Sequence, residues 1–318
     1  MSPPALRIGT RASALALWQA RHVAAAIAAQ TDAPPVELVH ISTEGDLRTD
    51  VPLWTVGGKA FFTKEIDRAL LAREIDVAVH SLKDLATELE PGTELAAVLA
   101  REDPRDALVS RGGEALHELP PGARVGSSSL RRRAFLAHAR RDLTVLELRG
   151  NVPTRIEKLR SGAYDAIVLA TAGLKRLGLS GHITSHLSVD EFPPAVSQGA
   201  IGVCVRANDG EALRWVSALD DTAARLTTTA ERALLKSVEA GCQVPLGALA
   251  TLVNGELHLR VAVCALDGSS MLRAQGSAPA ELAHAVRLGE RLSYELLASG
   301  AQRLIAEVRG VGNQVAAP

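Results

Sequence analysis

Short apolar runs alternate along this chain with longer stretches in which apolar residues recur every three to four positions, and polar turns separate the two. The runs Leu6–Ile8, Val36–Ile41, Ile75–His80, Arg124–Gly126, Leu143–Leu148, Tyr164–Ala170 and Ile201–Val205 read as strands. Helices are predicted from Ser13, through Ile66, Ala69 and Leu70, from Leu130, and from Pro153, which suits a first helical turn. Strands alternating with helices imply open, doubly wound α/β sheets. The pattern occurs in two halves, which predicts two doubly wound α/β domains facing each other across a cleft. The Pro193-Pro194 and Gln198-Gly199 pairs mark a crossover back to the first of them. The expected domains are residues 1–100 with 198–218, residues 104–193, and a third over 221–312.

The third follows a different pattern. Thr228 and Glu231 stand at capping-box spacing, which predicts a helix from there through Ala230, Ala233, Leu234, Leu235 and Val238 to Gly241. Strands Leu246–Leu252 and Leu257–Ala265, joined by the hairpin signal Asn254-Gly255, then a strand near Leu272–Gly276 and a helix Ala280–Ala298, make a small α+β domain. Residues after Gly310 read as a tail.

Ligands of open α/β sheets lie beyond the carboxyl ends of the strands, so the turns there carry the candidate chemistry. Arg11 and Ser13 follow the first strand, at a helix N-terminus that favours an anion. Ser81, Lys83 and Asp84 follow the strand ending at His80, and Asp84 is the one acid in that turn. In the second half, Ser127, Ser128 and Ser129 lead into Arg131, Arg132 and Arg133. Cations at a helix start oppose the dipole, which makes sense if anions sit there. Arg149, Arg155 and Arg176 come next. Read alone, each turn is equally a solvated cap or a surface ion pair; together they suit an acidic ligand, because arginine binds carboxylates bidentately. Thr55 to Lys59 superficially suggests a phosphate loop, but Leu53 and Ala60 occupy positions that need Gly and Ser or Thr, so Gly57 and Gly58 instead form a surface loop carrying Lys59.

Composition narrows the field further. The 318 residues suffice for two or three cores, and 47% hydrophobic with 22% charged residues is an ordinary soluble balance. Aromatics at 3% and a formal charge of -1 argue against stacking platforms or a global basic field for nucleic acid. The Ala-rich stretch Ala14–Ala29 is broken by Gln19, Arg21 and His22, and no signal peptide is seen, so no membrane is expected and a reducing cytoplasm is. The three cysteines, 204, 242 and 264, form no disulfide framework and no metal spacing, so no metal is expected. Cys242 stands apart, between Gly241 and the stiffening Pro245, just past a predicted helix C-terminus. That setting opposes a thiolate, so lasting covalent attachment suits it better than turnover at sulfur; the plainer alternative is a small buried hydrophobe.

The segment Glu239-Ala240-Gly241-Cys242-Gln243-Val244-Pro245-Leu246-Gly247 resembles the cofactor-attachment segment of the porphobilinogen deaminases, also called hydroxymethylbilane synthases. The likeness covers nearly the whole chain. It includes Ile8–Ser13 with Leu15–Ala20, Gly57-Gly58-Lys59, Val79–Asp84, Gly126–Arg132, Arg149–Arg155 and Tyr164–Ala170, and it implies two doubly wound, periplasmic-binding-protein-like α/β domains around a cleft plus the small C-terminal α+β domain. It implies a transferase that joins four porphobilinogen molecules head to tail into hydroxymethylbilane, releasing ammonia, on a dipyrromethane primer held by a thioether to Cys242. By the same resemblance Asp84 is catalytic; Ser81, Lys83, Ser127, Ser129, Arg131 and Arg132 hold the cofactor; Arg11, Ser13, Arg149, Arg155, Arg176 and Gln198 bind substrate; Lys59 lies on a loop over the cleft. A monomer that passes its product to a downstream tetrapyrrole enzyme is expected. The chain departs from the family pattern at Ser197 and Ala240, where glycine is usual, at Cys204, where glutamate is, and at Ala86, where proline is frequent. The rival from another class is a passive binder of an acidic solute, which needs neither Asp84 nor Cys242. A nicotinamide enzyme is disfavoured because no GxGxxG follows the first strand.

Overall fold

The computed structural model describes residues 4–43, 63–238 and 244–307. Among these residues the contacts divide into two units, one formed by residues 4–43, 63–102 and 199–225 and the other by 103–198, 226–238 and 244–307.

The chain opens with strand β1 (Leu6–Thr10), helix α1 (Ala14–Ala28), β2 (Val36–His40), α2 (Lys64–Leu71), β3 (Val77–Ser81) and β4 (Thr93–Val98). Ser13 caps α1 by accepting the Ala16 amide, satisfying a donor that the helix start leaves open. The second unit supplies β5 (Asp106–Ser110), β6 (Arg124–Gly126), α3 (Leu130–Ala139), β7 (Thr144–Leu146), α4 (Val152–Arg160), β8 (Ala166–Ala170), α5 (Thr171–Arg176) and β9 (Ser185–His186). The first unit is completed by β10 (Ile201–Arg206) and α6 (Gly210–Val216). Then come α7 (Thr222–Ser237), β11 (Leu246–Val253), β12 (Glu256–Cys264), β13 (Met271–Pro279) and α8 (Leu282–Leu296).

The two five-stranded sheets share one plan, β2-β1-β3-β10-β4 in the first unit and β7-β6-β8-β5-β9 in the second. In each, three parallel strands are followed by a strand running the other way, β10 against β3 and β5 against β8. The reversal has a consequence for chemistry. Asp106, the first residue of β5, pairs with Ala170, the last of β8, so an antiparallel strand delivers its own first residue to the edge where the parallel strands end. Strands β4, β5 and β9 are not among the runs predicted from sequence, and β13 extends three residues beyond the predicted Gly276.

Both sheets are covered on two faces, which explains their unbroken apolar runs. Ile8, Val77, Val79 and Val203 pack with Val23 and Ile27 of α1 on one side of the first sheet, and Ala78 and Cys204 pack with Ile66 and Leu70 of α2 on the other. The second sheet is filled likewise by Val125, Val168 and Phe135 on one face and by Ile167, Leu169 and Ile156 on the other.

In the remaining part of the second unit, Leu257, Leu259, Val261 and Val263 of the three-stranded sheet β11-β12-β13 bury against Leu234, Leu288 and Leu292. Its hairpin is the one expected: Asn254 and Gly255 both have positive φ, 50° and 79°. The opposite face puts Ala262 and Cys264 against Ala134 and Phe135 of α3. Gly268 touches that helix so closely, 2.4 Å from a notional Cβ to the Ala137 carbonyl carbon and to the His138 amide nitrogen, that only glycine fits.

One expected start is wrong. α7 begins at Thr222, where Asp221 accepts the Ala224 amide, so Thr228 lies mid-helix and not at the helix start. Glu231 is fully buried, with one carboxylate oxygen accepting the Ser197 amide at 2.6 Å and the other the Ala250 amide at 2.8 Å.

Candidate functional site

In the first unit, β1 and β3 run parallel with Ile8 beside Val77, so the turns after Thr10 and Ser81 leave the same sheet edge. Arg11 and Ser13 are half-buried there, as are Ser81, Lys83 and Asp84; Asp84 closes a single 3-10 turn, Leu82–Asp84. The Ser81 hydroxyl is held by the buried Gln19, whose side-chain amide donates to it at 2.8 Å, so this residue of α1 positions the strand end. Beneath the turn, burial and the charge of Arg11 hold the His80 imidazole down at a pKa of about 4, keeping it neutral. Gln19 and His80 were not singled out from sequence, although the resemblance passes through both. Lys59 and Cys242 lie outside the described residues.

In the second unit the turns after β6, β7 and β8 likewise share one edge, since Gly126 sits beside both Leu146 and Ile167. Ser127 is buried and its hydroxyl accepts the Ser129 amide, while Ser129 caps α3 by accepting the Arg132 amide. Ser128 donates to the Leu148 carbonyl, joining two of the turns. Arg149, Arg155 and Arg176 are half-buried at this edge, and Arg155 Nε donates to the Gly150 carbonyl at 2.7 Å.

Arg131 and Arg132 are only 4% and 6% exposed, and between them lies a residue that sequence reasoning missed. Asp106, with no exposure at all, accepts Arg131 Nη2 at 2.7 Å on one oxygen and Arg132 Nη2 at 2.7 Å and Nε at 3.1 Å on the other. Arg131 Nη1 also donates to the Pro193 carbonyl and Arg132 Nη1 to that of Val168. Gln198 Nε2 is directed to the Asp106 carboxylate at 2.9 Å and to the Pro104 carbonyl at 2.8 Å. Burial alone would push Asp106 up, but the two guanidinium charges outweigh it and hold the carboxyl well below its usual range; burial draws Arg131 below its ordinary value. The cations expected to need an anion thus have one inside the protein. One carboxylate facing two guanidiniums still leaves a net positive charge, and Arg131 Nε is buried without a hydrogen-bond partner. A buried unmatched cation is costly, and a carboxylate ligand would relieve it.

The other two cysteines are structural. Cys204 and Cys264 are both buried, Cys264 donates to the Ala134 carbonyl, and burial pushes its thiol up to about 11. Among the described residues, no group of His, Cys, Asp and Glu could hold a metal, and no helix is long and apolar enough to cross a membrane.

Doubly wound units whose strand ends present arginine and hydroxyl groups define a class: α/β proteins with anion-binding groups at the carboxyl edges of their sheets. Comparison with known proteins narrows this. Residues 6–214 match the family model described as "Porphobilinogen deaminase, dipyromethane cofactor binding domain", and residues 225–298 match "Porphobilinogen deaminase, C-terminal domain". The porphobilinogen deaminase of Syntrophobacter fumaroxidans is 46% identical over 309 residues, 97% of this chain and 99% of that one; that of Roseiflexus sp. (strain RS-1) is 51% identical over 304 residues, 95% and 98%. A solved nutrient binding protein from Burkholderia cenocepacia bound to methionine aligns with a TM-score of 0.42 at 15% identity, over 66% of this chain and 89% of that one. The chain belongs to the porphobilinogen deaminase family, and is a transferase with a dipyrromethane cofactor domain.

Proposed function

We propose that this protein condenses four porphobilinogen molecules into hydroxymethylbilane with release of ammonia. The reaction comes with family membership; the observation in the structure that carries it is the buried Asp106, Arg131 and Arg132 cluster, with its surplus positive charge and unpartnered Arg131 Nε. The residues fit a cofactor bearing acetate and propionate groups, because a carboxylate supplies the charge and the acceptor that this cluster lacks. When bound, a dipyrromethane supplies the primer on which the chain of pyrroles is built.

The chain's own residues have separable tasks on this reading. Arg131 and Arg132 bind cofactor carboxylates through donors not directed at Asp106, with Lys83, Ser81, Ser127 and Ser129 assisting. Arg11, Ser13, Arg149, Arg155 and Arg176 bind the substrate's carboxylates, and Lys59 acts from its loop; Gln198, expected from the resemblance to join them, is buried with its amide directed to Asp106 and the Pro104 carbonyl and serves that cluster instead. Asp84 accepts pyrrole N–H groups and stabilises the positive charge that develops as ammonia leaves, a preorganised acceptor where charge appears. Cys242 anchors the cofactor by a thioether. The burial of Cys204 and Cys264 supports this, since neither presents a thiol to a ligand. A monomeric cytoplasmic enzyme handing its product to a later tetrapyrrole enzyme completes the proposal.

The test is the intact mass of the denatured protein, wild type beside Cys242→Ser, after incubation with porphobilinogen. A dipyrrole adduct on the wild type alone, with ammonia released during turnover, is expected. An unmodified wild type that consumes no porphobilinogen would overturn the reading in favour of a passive binder.

A further inference from the structure

The contacts of Asp106 go beyond neutralising a neighbour. A plain buried ion pair is one to one, whereas here a single carboxylate with no exposure divides its two oxygens between two guanidiniums and takes a third donor, Gln198 Nε2, at 2.9 Å. Arg132 is held through both Nε and Nη2, which fixes the plane of its guanidinium as well as its position. Both arginines are in the first turn of α3, where the helix dipole disfavours cations, so some anion must hold them. Asp106 reaches them because β5 runs antiparallel to β8 and begins at the edge where the ligand-facing turns end. The parallel strands present no acid there from within the sheet.

Charge counting adds a second point. Two guanidiniums and one carboxylate leave one positive charge, and Arg131 Nε is buried with no partner. With a second protein acid the cluster would be neutral and would have no charge to offer. With none, the guanidiniums would repel each other and turn apart.

We propose that Asp106 is the positioning residue of the cofactor-carboxylate site: it orients Arg131 and Arg132 and cancels one of their two charges, so that the pair is set to take a single carboxylate. Gln198 keeps the Asp106 carboxylate in register by bridging it to the Pro104 carbonyl. The inference rests on the cofactor role proposed above for the two arginines.

The experiment follows covalent loading of the full chain, prepared without cofactor and incubated with porphobilinogen, by intact mass of the denatured protein, with circular dichroism as the check on folding. Asp106→Asn should load at least tenfold more slowly than wild type. Asp106→Asn combined with Gln198→Glu returns the negative charge about 3 Å away and exchanges the roles of acid and amide. Positioning predicts that this swap folds and still loads at least fivefold slowly, whereas simple charge balance would restore loading. Loading of Asp106→Asn at the wild-type rate, or full recovery in the swap, would overturn the proposal. An unfolded swap would also count against it, since Asp106 would then serve the fold alone. If wild type itself gains no mass, the functional reading has failed, which is separable from failure of the Asp106 proposal on a wild type that loads.

Discussion

Replacing Ser197 with glycine should make the protein more stable. Ser197 has φ of 62° and no exposure, its amide is fixed by Glu231 at 2.6 Å, and its hydroxyl is buried without a partner. A left-handed backbone costs a non-glycine residue about 1 to 2 kcal/mol, and a buried unsatisfied hydroxyl about 1 to 3 kcal/mol. Against these gains stand the wider unfolded ensemble of glycine, about 0.4 to 1 kcal/mol, and the loss of one buried methylene, about 0.8 kcal/mol. The balance favours Ser197→Gly by about 2 kcal/mol, which at roughly 2 to 4 °C per kcal/mol for a large domain is a rise in Tm of about 4 to 8 °C. Scanning calorimetry of wild type, Ser197→Gly and Ser197→Ala at one scan rate measures it. Alanine removes the hydroxyl and keeps the strained backbone, so the expected order is Gly above Ala above Ser. A glycine variant that melts at or below wild type would refute the reasoning, and alanine equal to glycine would remove its backbone part.

Three further outcomes follow from buried carboxylates and one imidazole. Burial, reinforced by the charges of Glu90 and Glu65, raises Asp67 to about 6, above its unfolded value, so folding favours the protonated form and stability falls as pH rises from about 4 to 6. Asp67→Asn should therefore gain about 2 kcal/mol at pH 7.5 and nothing at pH 4, read from urea unfolding at both pH values. His80 has the opposite sign: its lowered pKa means that the unfolded chain takes up the proton first, and stability is lost as pH falls below about 6.5. Its own contribution to the loss between pH 7.5 and 5 is about 2 kcal/mol, set against the gain from Asp67 over that interval, so it is read as the difference between wild type and His80→Gln, which should keep about 2 kcal/mol more of its stability at pH 5. Glu231→Gln keeps the shape but turns an amide donor toward the Ser197 or Ala250 amide, so it should cost about 2 kcal/mol in the same assay; a neutral result would mean that neither backbone contact matters.

Local signals were readable where the local chain decides the outcome. The cap of α1 at Ser13, the Asn254-Gly255 hairpin and the strands that end at Ser81, Gly126 and Ala170 depend on residues within a few positions of one another. The site turns were readable for the same reason, because each follows its own strand. Strand β5 was not, since Ala107–Val109 is short and becomes a strand only by pairing with β8, some sixty residues later. Asp106 was hidden with it: nothing near Pro104 indicates that its partners are at 131 and 132.

Glu231 shows why spacing alone misled. A Thr and a Glu three apart before an apolar run are the mark of a helix start when both side chains can reach free amides of the first turn. At Thr228 those amides already lie inside α7, which began at Thr222, so the glutamate meets no free first-turn amide there. A carboxylate with no exposure must find donors elsewhere, and the amides of Ser197 and Ala250 are the ones the fold brings to it. The same demand explains the left-handed turn at Ser197. The backbone there is shaped to aim its amide at Glu231, and a residue that bears a side chain carries the resulting strain.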